Sequence, residues 1–359
     1  MACSPRPRSW QAEANGALSQ RSESKGLPLT SQLHQRVRKT IERYGLSPPG
    51  SRLLVGLSGG SDSVALLFLL RDLAENGGFV VAGVAHLNHQ LRTSAGRDEA
   101  FCRQLAARLN VQIVVKSEDV GGFARGRKLS VEDAARRIRY DFFEQAADAV
   151  GADRVAVGHT QDDQAETFLL KLIRGAGLSG LAGIHPRRGR VIRPLLAVPR
   201  AELRGYLAGR GEHWIEDESN ADLGNPRNRI RHAILPELDC AAGGPAGAAI
   251  ARAADLIRED AEWLDELARR RYLEIAQPAP DGGVAIEASA LLAEAPPLRR
   301  RILLQALRAG AGGREAGFDH VEAAMAALTA TSGGADVPGG RVELRRGKLV
   351  LLQQKPVPK

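Results

Sequence analysis

The sequence contains few cysteines and few aromatic residues. Three cysteines occur in 359 residues, at Cys3, Cys102 and Cys240, and no two of them form a CxxC pair. This spacing argues against a zinc ribbon, an iron–sulfur site and a disulfide framework. Aromatic residues make up 4% of the chain, whereas hydrophobic residues make up 43%. We therefore expect hydrophobic cores built mainly from Leu, Val, Ile and Ala.

Long hydrophobic runs are missing as well. No apolar stretch reaches the roughly 18 residues that a membrane span requires, so we expect no membrane partner. Residues 1–28 are rich in Ser, Arg, Ala and Gln and lack the apolar segment of a signal peptide. We predict that 1–28 form a disordered N-terminal extension and that the protein is cytoplasmic.

Acidic residues are the minority among the charged residues. The chain has 50 Lys and Arg against 42 Asp and Glu, which gives a net charge of +8. An excess of positive charge in a protein without membrane spans favours a polyanionic partner, with nucleic acid as the first candidate. The alternative is a generally arginine-rich composition with no such partner.

The first two thirds of the chain alternate between strand and helix patterns. Short apolar runs predict strands near 52–58, 79–89, 111–116 and 153–159, and amphipathic segments after them predict helices near 62–75, 96–110, 130–151 and 161–177. Four strand–helix repeats predict an α/β fold, in which a parallel sheet carries helices on both faces.

A different organisation follows near 239–249, where small residues predict a junction. Beyond it we predict a smaller, mainly helical domain with helices near 297–309 and 318–329. It ends in a β-hairpin around the sequence RRGK at 345–348. Arginine runs in this domain have two interpretations, a solvated face or a contact surface for nucleic acid, and for each run taken alone the solvated face is favoured.

Three polar clusters follow strands of the predicted sheet. They are Ser58–Ser63 after the first strand, His86–His89 after the second and His159–Asp163 after the fourth. Ligands of such sheets bind at the carboxyl ends of the strands. We therefore expect the three clusters to share one site.

The first cluster has the composition of an anion-binding loop. It consists of Ser58, Gly59, Gly60, Ser61, Asp62 and Ser63. Glycines let backbone N–H groups approach a phosphate, and the positive end of the following helix adds to the attraction. The loop lacks the lysine of GxxxxGK[ST] and is not a GxGxxG motif. A carboxylate in a phosphate site is explained if Asp62 binds Mg²⁺; the alternative is a tight turn with a Ser/Asp cap.

This loop resembles the SGGxDS loop of the N-type ATP pyrophosphatases (PP-loop superfamily), and the chain is similar to the tRNA(Ile)-lysidine synthetase family within them. The similarity is carried by AHLNHQLR (85–92), ARRIRYDFF (135–143), GHTQDDQAETFLLKLIRGAGLSGLAGI (158–184), RPLLAVPRAELRGYL (193–207) and DESNADLGNPRNRIRHAILPEL (217–238). These stretches occur in the family's order. Residues 245–359 match the family only in general layout.

The resemblance implies a ligase that forms a carbon–nitrogen bond and modifies tRNA. ATP would adenylate the wobble cytidine of an isoleucine tRNA with a CAU anticodon and go to AMP and diphosphate. Free L-lysine would then attack C2 of the cytidine and give lysidine. Residues 29–238 would be the PP-loop catalytic domain, and 245–359 a helical tRNA-binding domain. Longer members have a further C-terminal domain, so we expect tRNA to be held by fewer contacts or by a homodimer.

The acidic residues of the third cluster have two interpretations. Asp162, Asp163 and Glu166 stand at the start of a helix, where they could hold a metal ion or the lysine ammonium, or simply cap the helix. The neighbouring His159 favours a functional role. As catalytic residues we select Asp62, Asp163 and Glu166.

Two further pairs complete the candidates. His86 and His89 contact the nucleotide base or cap the sheet, two interpretations that the sequence leaves equal; we select His86 for ATP binding. Arg227 and Arg231, at i and i+4, lie on a solvated face or, as the resemblance implies, bind phosphate of ATP or tRNA. A PP-loop tRNA-thiolating enzyme and a non-catalytic basic tRNA-binding protein stay as alternatives, although the first usually needs paired cysteines.

Overall fold

The computed structural model describes residues 29–90, 95–216, 222, 224–279, 283–310, 316–329 and 333–353. The predicted disordered extension at 1–28 lies outside the described residues. The chain divides into two compact units, one up to Asp255 and one from Leu256. Among the helices that the structure describes, none has the length and apolar character needed to cross a bilayer.

The first unit follows the predicted alternation of strands and helices. Its strands are β1 (Arg52–Gly56), β2 (Val80–Asn88), β3 (Ile113–Ser117), β4 (Arg154–Ala156), β5 (Arg187–Arg188) and β6 (Val191–Ile192). Its helices are α1 (Leu29–Arg43), α2 (Ser61–Gly77), α3 (Ala95–Arg108), α4 (Val120–Arg127), α5 (Val131–Val150), α6 (Gln161–Ile173), α7 (Leu178–Leu181), α8 (Arg200–Gly209), α9 (Pro226–Arg229) and α10 (Leu235–Ala242), with a π-helical turn at Ile230–Ile234 between the last two.

These strands form one six-stranded sheet in the order β3-β2-β1-β4-β6-β5. Every pairing is parallel except that of β5 with β6 at the edge. The predicted α/β class is therefore confirmed. The sequence patterns missed α4, α7, α8 and the two-residue strands β5 and β6. Elements as short as β5, β6 and α7 give too few residues to establish a period.

The sheet is buried on both faces. Leu53 and Val55 pack into one hydrophobic cluster together with α1, α2 and α8, whereas Leu54 between them packs into a second cluster with Phe142 of α5. Successive side chains of a strand point to opposite faces, so a strand between two helical layers must be apolar at every position. This explains why β1 reads as an uninterrupted apolar run.

The second unit contains more β-structure than the sequence predicted. It holds most of α11 (Ala246–Ile275), together with β7 (Ala276–Pro278), β8 (Val284–Glu287), α12 (Ala288–Ala293), α13 (Pro296–Gly310), α14 (Phe318–Thr329), β9 (Gly334–Val337), β10 (Gly340–Arg345) and β11 (Lys348–Gln353). The predicted hairpin is present as β10 and β11, but it is the centre of an antiparallel sheet in the order β7-β8-β11-β10-β9.

Most of the junction predicted near 239–249 is helical, and only residues 243–245 lie between α10 and α11. Gly243 ends α10 in the left-handed conformation, and α11 begins at Ala246, ten residues before the division between the two compact units. Within the arginine runs of the second unit, Arg301 is only 11% exposed and pairs with Asp265. In contrast, Arg300 with Glu322 and Arg269 with Glu266 form exposed ion pairs. Such pairs contribute about 0–1 kcal/mol each, as expected for a solvated face.

Candidate active site

The polar clusters lie where the strand order reverses. β1 has β2 on one side and β4 on the other, and the chain leaves both β1 and β4 at the same edge of the sheet because the two strands are parallel. Ligands of open α/β sheets bind in the crevice at such a point. The loop at Ser58–Ser63 and the start of α6 therefore face the same crevice.

The loop after β1 is shaped by its glycines and closed by a serine. Gly59 has a φ of +90°, and a Cβ there would lie 3.0 Å from Cδ1 of Ile215. Gly60 is the N-cap of α2 and offers no side chain to cap the first N–H groups. The Ser63 hydroxyl accepts from the Ser58 N–H at 3.1 Å and donates to the Gly60 carbonyl at 3.0 Å. This arrangement leaves a helix N-terminus at the ligand crevice, as an anion site requires.

A second glycine brings the two loops into contact. A Cβ at Gly158, after β4, would lie 3.0 Å from the carbonyl carbon of Asp62 and 3.1 Å from the Ser63 nitrogen. Because these are backbone atoms, they cannot rotate away from a larger residue. The backbone that leads into α6 therefore passes directly against the loop that carries Asp62.

Asp163 combines the two roles that the sequence left open. Its Oδ2 accepts hydrogen bonds from the N–H and the hydroxyl of Thr160, each at 2.8 Å, and Thr160 caps α6 in return. The other oxygen, Oδ1, accepts a 3.0 Å hydrogen bond from Nη2 of Arg200. One carboxylate thus caps the helix and also faces the crevice.

Arg200 forms ion pairs with both the loop after β1 and the start of α6. Its Nε donates to Oδ2 of Asp62 at 2.8 Å, and its Nη1 lies 3.8 Å from Oε1 of Glu166. Its backbone N–H donates to Oδ2 of Asp162 at 2.8 Å. All four acidic candidates are therefore brought together, and a guanidinium lies at their centre.

Glu166 is enclosed by two further arginines. Nε and Nη2 of Arg231 donate to its two carboxylate oxygens at 2.6 and 3.1 Å. Nε of Arg227 lies 3.7 Å from Oε2 of Glu166, while Nη2 of Arg227 donates to the Thr167 hydroxyl. The bidentate fork is the strongest arginine–carboxylate geometry. The two arginines thus point at the acidic cluster, which excludes the interpretation of a purely solvated face.

Burial and charge act in opposite directions on these groups. For Arg200, burial disfavours the charged form, but Asp163 and Asp62 outweigh burial and raise its pKa. For Asp163, burial acts to raise the pKa, but Arg200, His159 and the Thr160 hydrogen bonds lower it overall. Burial raises the pKa of Glu166 and is only partly offset by Arg231. The cluster is stable as an ionic network only because each buried charge has a partner.

The histidine candidates are enclosed beside the loops. Nδ1 of His86, near the end of β2, lies 2.9 Å from the Leu57 carbonyl oxygen, and its Nε2 is buried without a hydrogen-bond partner among the described residues. Burial lowers the pKa of His159 to about 4, so this imidazole is neutral at pH 7. Nε2 of His89 lies 3.4 Å from Nη2 of Arg139. His86 therefore contacts the backbone at the end of the sheet, and it is also a polar group next to the Ser58–Ser63 loop.

Arg200 is the site residue that sequence reasoning did not single out. Its stretch was recognised only as part of a matching segment. A signal was present, because α8 begins at Arg200 immediately after Pro199, and a positive charge in the first turn opposes the helix dipole. Such a placement requires nearby negative charge, and the sequence does not say which residues supply it.

The predicted Mg²⁺ site does not match the side chains as they stand. Carboxylate oxygens are suitable donors for Mg²⁺, but Oδ2 of Asp62 and Oδ1 of Asp163 both accept from Arg200. Within the described parts of the chain, no group of three or more His, Cys, Asp or Glu side chains could hold a metal ion. Arg200 is the partner of Asp62 in this structure, and Mg²⁺ binding by Asp62 stays a prediction.

Comparisons with known proteins agree with this architecture. A family model described as a PP-loop domain matches residues 29–238. A solved U34-tRNA thiolase from Methanococcus maripaludis superposes with a TM-score of 0.54 at 18% identity, over 64% of this chain and 79% of that chain. At this identity the likeness shows a shared fold.

Curated relatives extend the match beyond the PP-loop domain. The tRNA(Ile)-lysidine synthase of Geobacter sulfurreducens is 39% identical over 88% of this chain and 66% of that protein. That of Bacteroides thetaiotaomicron is 41% identical over 57% of this chain and 47% of that protein. The chain thus spans about half to two thirds of the length of these relatives.

A third relative is matched over nearly its whole length. The tRNA(Ile)-lysidine synthase of Leifsonia xyli subsp. xyli is 38% identical over 84% of this chain and 90% of that protein. The PP-loop family model over residues 29–238 covers the loop after β1 and the acidic start of α6, which the fold places in one crevice. The chain therefore belongs to the tRNA(Ile)-lysidine synthase family of PP-loop proteins.

Proposed function

We propose that the protein ligates lysine to C2 of the wobble cytidine of an isoleucine tRNA that has a CAU anticodon. ATP adenylates the C2 oxygen of the cytidine, and diphosphate is released. The ε-amine of free L-lysine then attacks C2, and AMP leaves. The observation that carries the proposal is the convergence of the Ser58–Ser63 loop with Asp163 and Glu166 at the switch point of the sheet.

The first step is assigned to the loop after β1. The C2 oxygen of cytosine is a poor leaving group, so it must be activated before an amine can displace it. The N-terminus of α2 and the hydroxyls of Ser58, Ser61 and Ser63 provide donors for the departing diphosphate. Asp62 would hold the Mg²⁺ that accompanies ATP, and the ion would supply positive charge next to the phosphates. Neutralising phosphate charge is the main task in reactions of this class.

The second step is assigned to the acidic start of α6. Lysine carries a positive charge at neutral pH and must be neutral at its ε-amine to attack. Asp163 and Glu166 offer carboxylates that attract the ammonium, and a carboxylate hydrogen-bonded to it can accept its proton. Glu166 suits this role because burial raises its pKa, which makes it a better proton acceptor than an ordinary carboxylate.

The tRNA is assigned to both parts of the chain. We propose that 29–238 catalyse the reaction and that 245–359 bind tRNA, with the excess of positive charge attracting the phosphate backbone. Arg227 and Arg231 are candidates for phosphate contacts, in which each guanidinium would leave its ion pair with Glu166 and bind a phosphate instead. The reaction would take place in the cytoplasm, where ATP, tRNA and lysine meet. A homodimer is a further proposal, and light scattering of the purified chain with and without tRNA tests it.

A product assay tests the reaction. The protein is incubated with α-labelled ATP, radioactive lysine and transcribed isoleucine tRNA with a CAU anticodon. We expect AMP and no ADP, and label transfer from lysine to the tRNA. A matched tRNA with a UAU anticodon is the control and should accept no lysine. ADP as the product, or lysine transfer to both tRNAs, would contradict the proposal.

The same assay separates the alternative functions. A tRNA-thiolating enzyme would consume ATP with cysteine or sulfide in place of lysine, and a tRNA-binding protein would consume none. The cysteine nearest to the loop along the chain, Cys102, does not favour thiolation, because burial raises its pKa to about 12 and keeps it protonated. Reactive cysteines require a lowered pKa.

A further inference from the structure

We infer that Arg200 is a built-in counter-cation of the acidic cluster, which competes with an incoming divalent cation for Asp62 and Asp163. The inference rests on the proposed use of Mg²⁺ with ATP, and it concerns how this chain keeps the cluster occupied before the ligands arrive. It assigns Arg200 a positioning role: the arginine acts on the reaction through the carboxylates it holds.

The first argument is geometric. Three nitrogens of one guanidinium face three carboxylates, with Nε at 2.8 Å from Asp62, Nη2 at 3.0 Å from Asp163 and Nη1 at 3.8 Å from Glu166. These carboxylates come from two helices that follow different strands, α2 and α6. The guanidinium thus occupies a point from which a cation reaches both Asp62 and Asp163. A metal ion and the guanidinium cannot occupy that point together.

The second argument concerns why an arginine is there at all. The Arg200 side chain is only 17% exposed, and it lies in the first turn of α8, where the helix dipole disfavours a positive charge. The carboxylates overcome both costs, since they raise the pKa of the guanidinium in spite of its burial. Arg200 is therefore stabilised at this position by the carboxylates and not by its own helix.

The third argument is the balance of charge. Asp62, Asp162, Asp163 and Glu166 carry four negative charges. Arg200, Arg227 and Arg231 return three positive charges. A divalent ion brought to this nearly neutral cluster gains little attraction and is repelled by the adjacent guanidinium. Without Arg200 the cluster keeps two uncompensated negative charges, which favour a divalent ion. The ligand-free protein should therefore bind divalent ions weakly because of Arg200.

ATP provides the means of exchange. Its phosphates would lie against the loop that carries Asp62, within reach of a flexible arginine, and a guanidinium pairs with phosphate as well as with carboxylate. Moving from Asp62 to a phosphate would release the carboxylate to Mg²⁺ without leaving any charge unpaired. Arg200 thus couples the arrival of ATP to the opening of the metal position.

The test measures Mn²⁺ binding to the full chain without ATP, tRNA or lysine, from the loss of the free Mn²⁺ signal in electron paramagnetic resonance. Arg200→Ala should bind Mn²⁺ at least about tenfold more tightly than the wild type. Arg204→Ala is the matched control: Arg204 lies one turn along α8 in an exposed pair with Glu216, and its loss should leave the affinity unchanged. Adding Asp62→Asn to Arg200→Ala should abolish the gain and so locate the ion.

One further variant keeps the result interpretable if Arg200→Ala unfolds. Arg200→Lys retains one positive charge but reaches fewer carboxylates, so an intermediate Mn²⁺ affinity is expected, with circular dichroism as the check on folding. Equal Mn²⁺ affinity in the wild type and a folded Arg200 variant would overturn the inference. So would a gain that survives Asp62→Asn. Because the assay contains no tRNA and no lysine, failure of the proposed lysine transfer would not alter its outcome.

Discussion

Nε of Arg200 donates a 2.8 Å hydrogen bond to Oδ2 of Asp62, although 138 residues separate the two along the chain. Asp62 belongs to the loop after β1, and Arg200 opens a helix that follows the edge of the sheet. Since the two side chains are only 17% and 20% exposed, water screens the pair weakly. The phosphate loop is therefore tied to the acidic cluster by charge as well as by the contact at Gly158.

The carboxylate of Asp62 should be essential for the use of ATP. Asp62→Asn preserves the shape of the side chain and removes its charge, so ATP turnover should fall about a thousandfold, or roughly 4 kcal/mol of barrier. The fold should be retained, because Arg200 keeps Asp163 as a partner. AMP release in the presence of tRNA measures the effect. Glu202→Gln, in an exposed pair with Arg36, is the control, and near-normal turnover of Asp62→Asn would refute a role in the reaction.

Glu166 should affect the second step more than the first. In Glu166→Gln the carboxylate that attracts and deprotonates lysine is lost, so lysine transfer should fall by at least about a hundredfold while diphosphate release persists. Single-turnover reactions with and without lysine separate the steps. Because Arg231 loses its bidentate partner, we also expect a loss of about 2 kcal/mol in the free energy of unfolding. If diphosphate release is lost as completely as in Asp62→Asn, Glu166 belongs to the ATP site.

Gly158 should not tolerate a methyl group. In Gly158→Ala the added Cβ meets the backbone of Asp62 and Ser63 at 3.0–3.1 Å, so the phosphate loop must shift, at a cost of about 2 kcal/mol in unfolding free energy. ATP binding should weaken at the same time, and both quantities follow from denaturation with and without ATP. Gly205→Ala on α8 is the matched control: its Cβ has no neighbour within 4 Å, and alanine favours the helix. Equal stability of the two variants would contradict the close contact.

His159 should make stability depend on pH between about 4 and 6.5. Its pKa is lowered to about 4 in the folded protein, whereas an exposed histidine titrates near 6.5. In this range the unfolded chain binds the extra proton, so stability decreases as the pH falls. Between pH 7 and pH 5 the wild type should lose about 2 kcal/mol more than His159→Gln. Urea unfolding of both proteins at the two pH values measures this difference, and parallel losses would show that the pKa of His159 is not lowered in the folded protein.

The local elements were predictable because each is encoded by adjacent residues. The alternation of apolar runs and amphipathic segments predicted the parallel strands and the helices between them. These helices include α5, which has Ser130 as its N-cap, and α2, which has Gly78 as its C-cap. The loop at 58–63 was recognisable because glycines, hydroxyls and one carboxylate between a strand and a helix have few uses other than an anion site. Short elements such as β5 and β6 escaped, since two residues have no period.

Which acidic side chain pairs with which arginine in the crevice was decided by the tertiary structure alone. Sequence spacing placed Asp162, Asp163 and Glu166 on one helix and Arg227 and Arg231 on another, but it could not say that the two sets pair. It also predicted Mg²⁺ as a partner of Asp62, but it did not predict the ion pair with Arg200 that the fold forms.

The physical reason lies in the range of each interaction. Hydrophobic periodicity and capping act over a few residues and can be read along the chain, so the sequence by itself determined the strands, the helices and the phosphate loop. The partner of a buried charge is whichever opposite charge the strand order brings within about 4 Å, in this case across 37 to 138 residues. Only the folded sheet, with β1 beside β4, determines that distance.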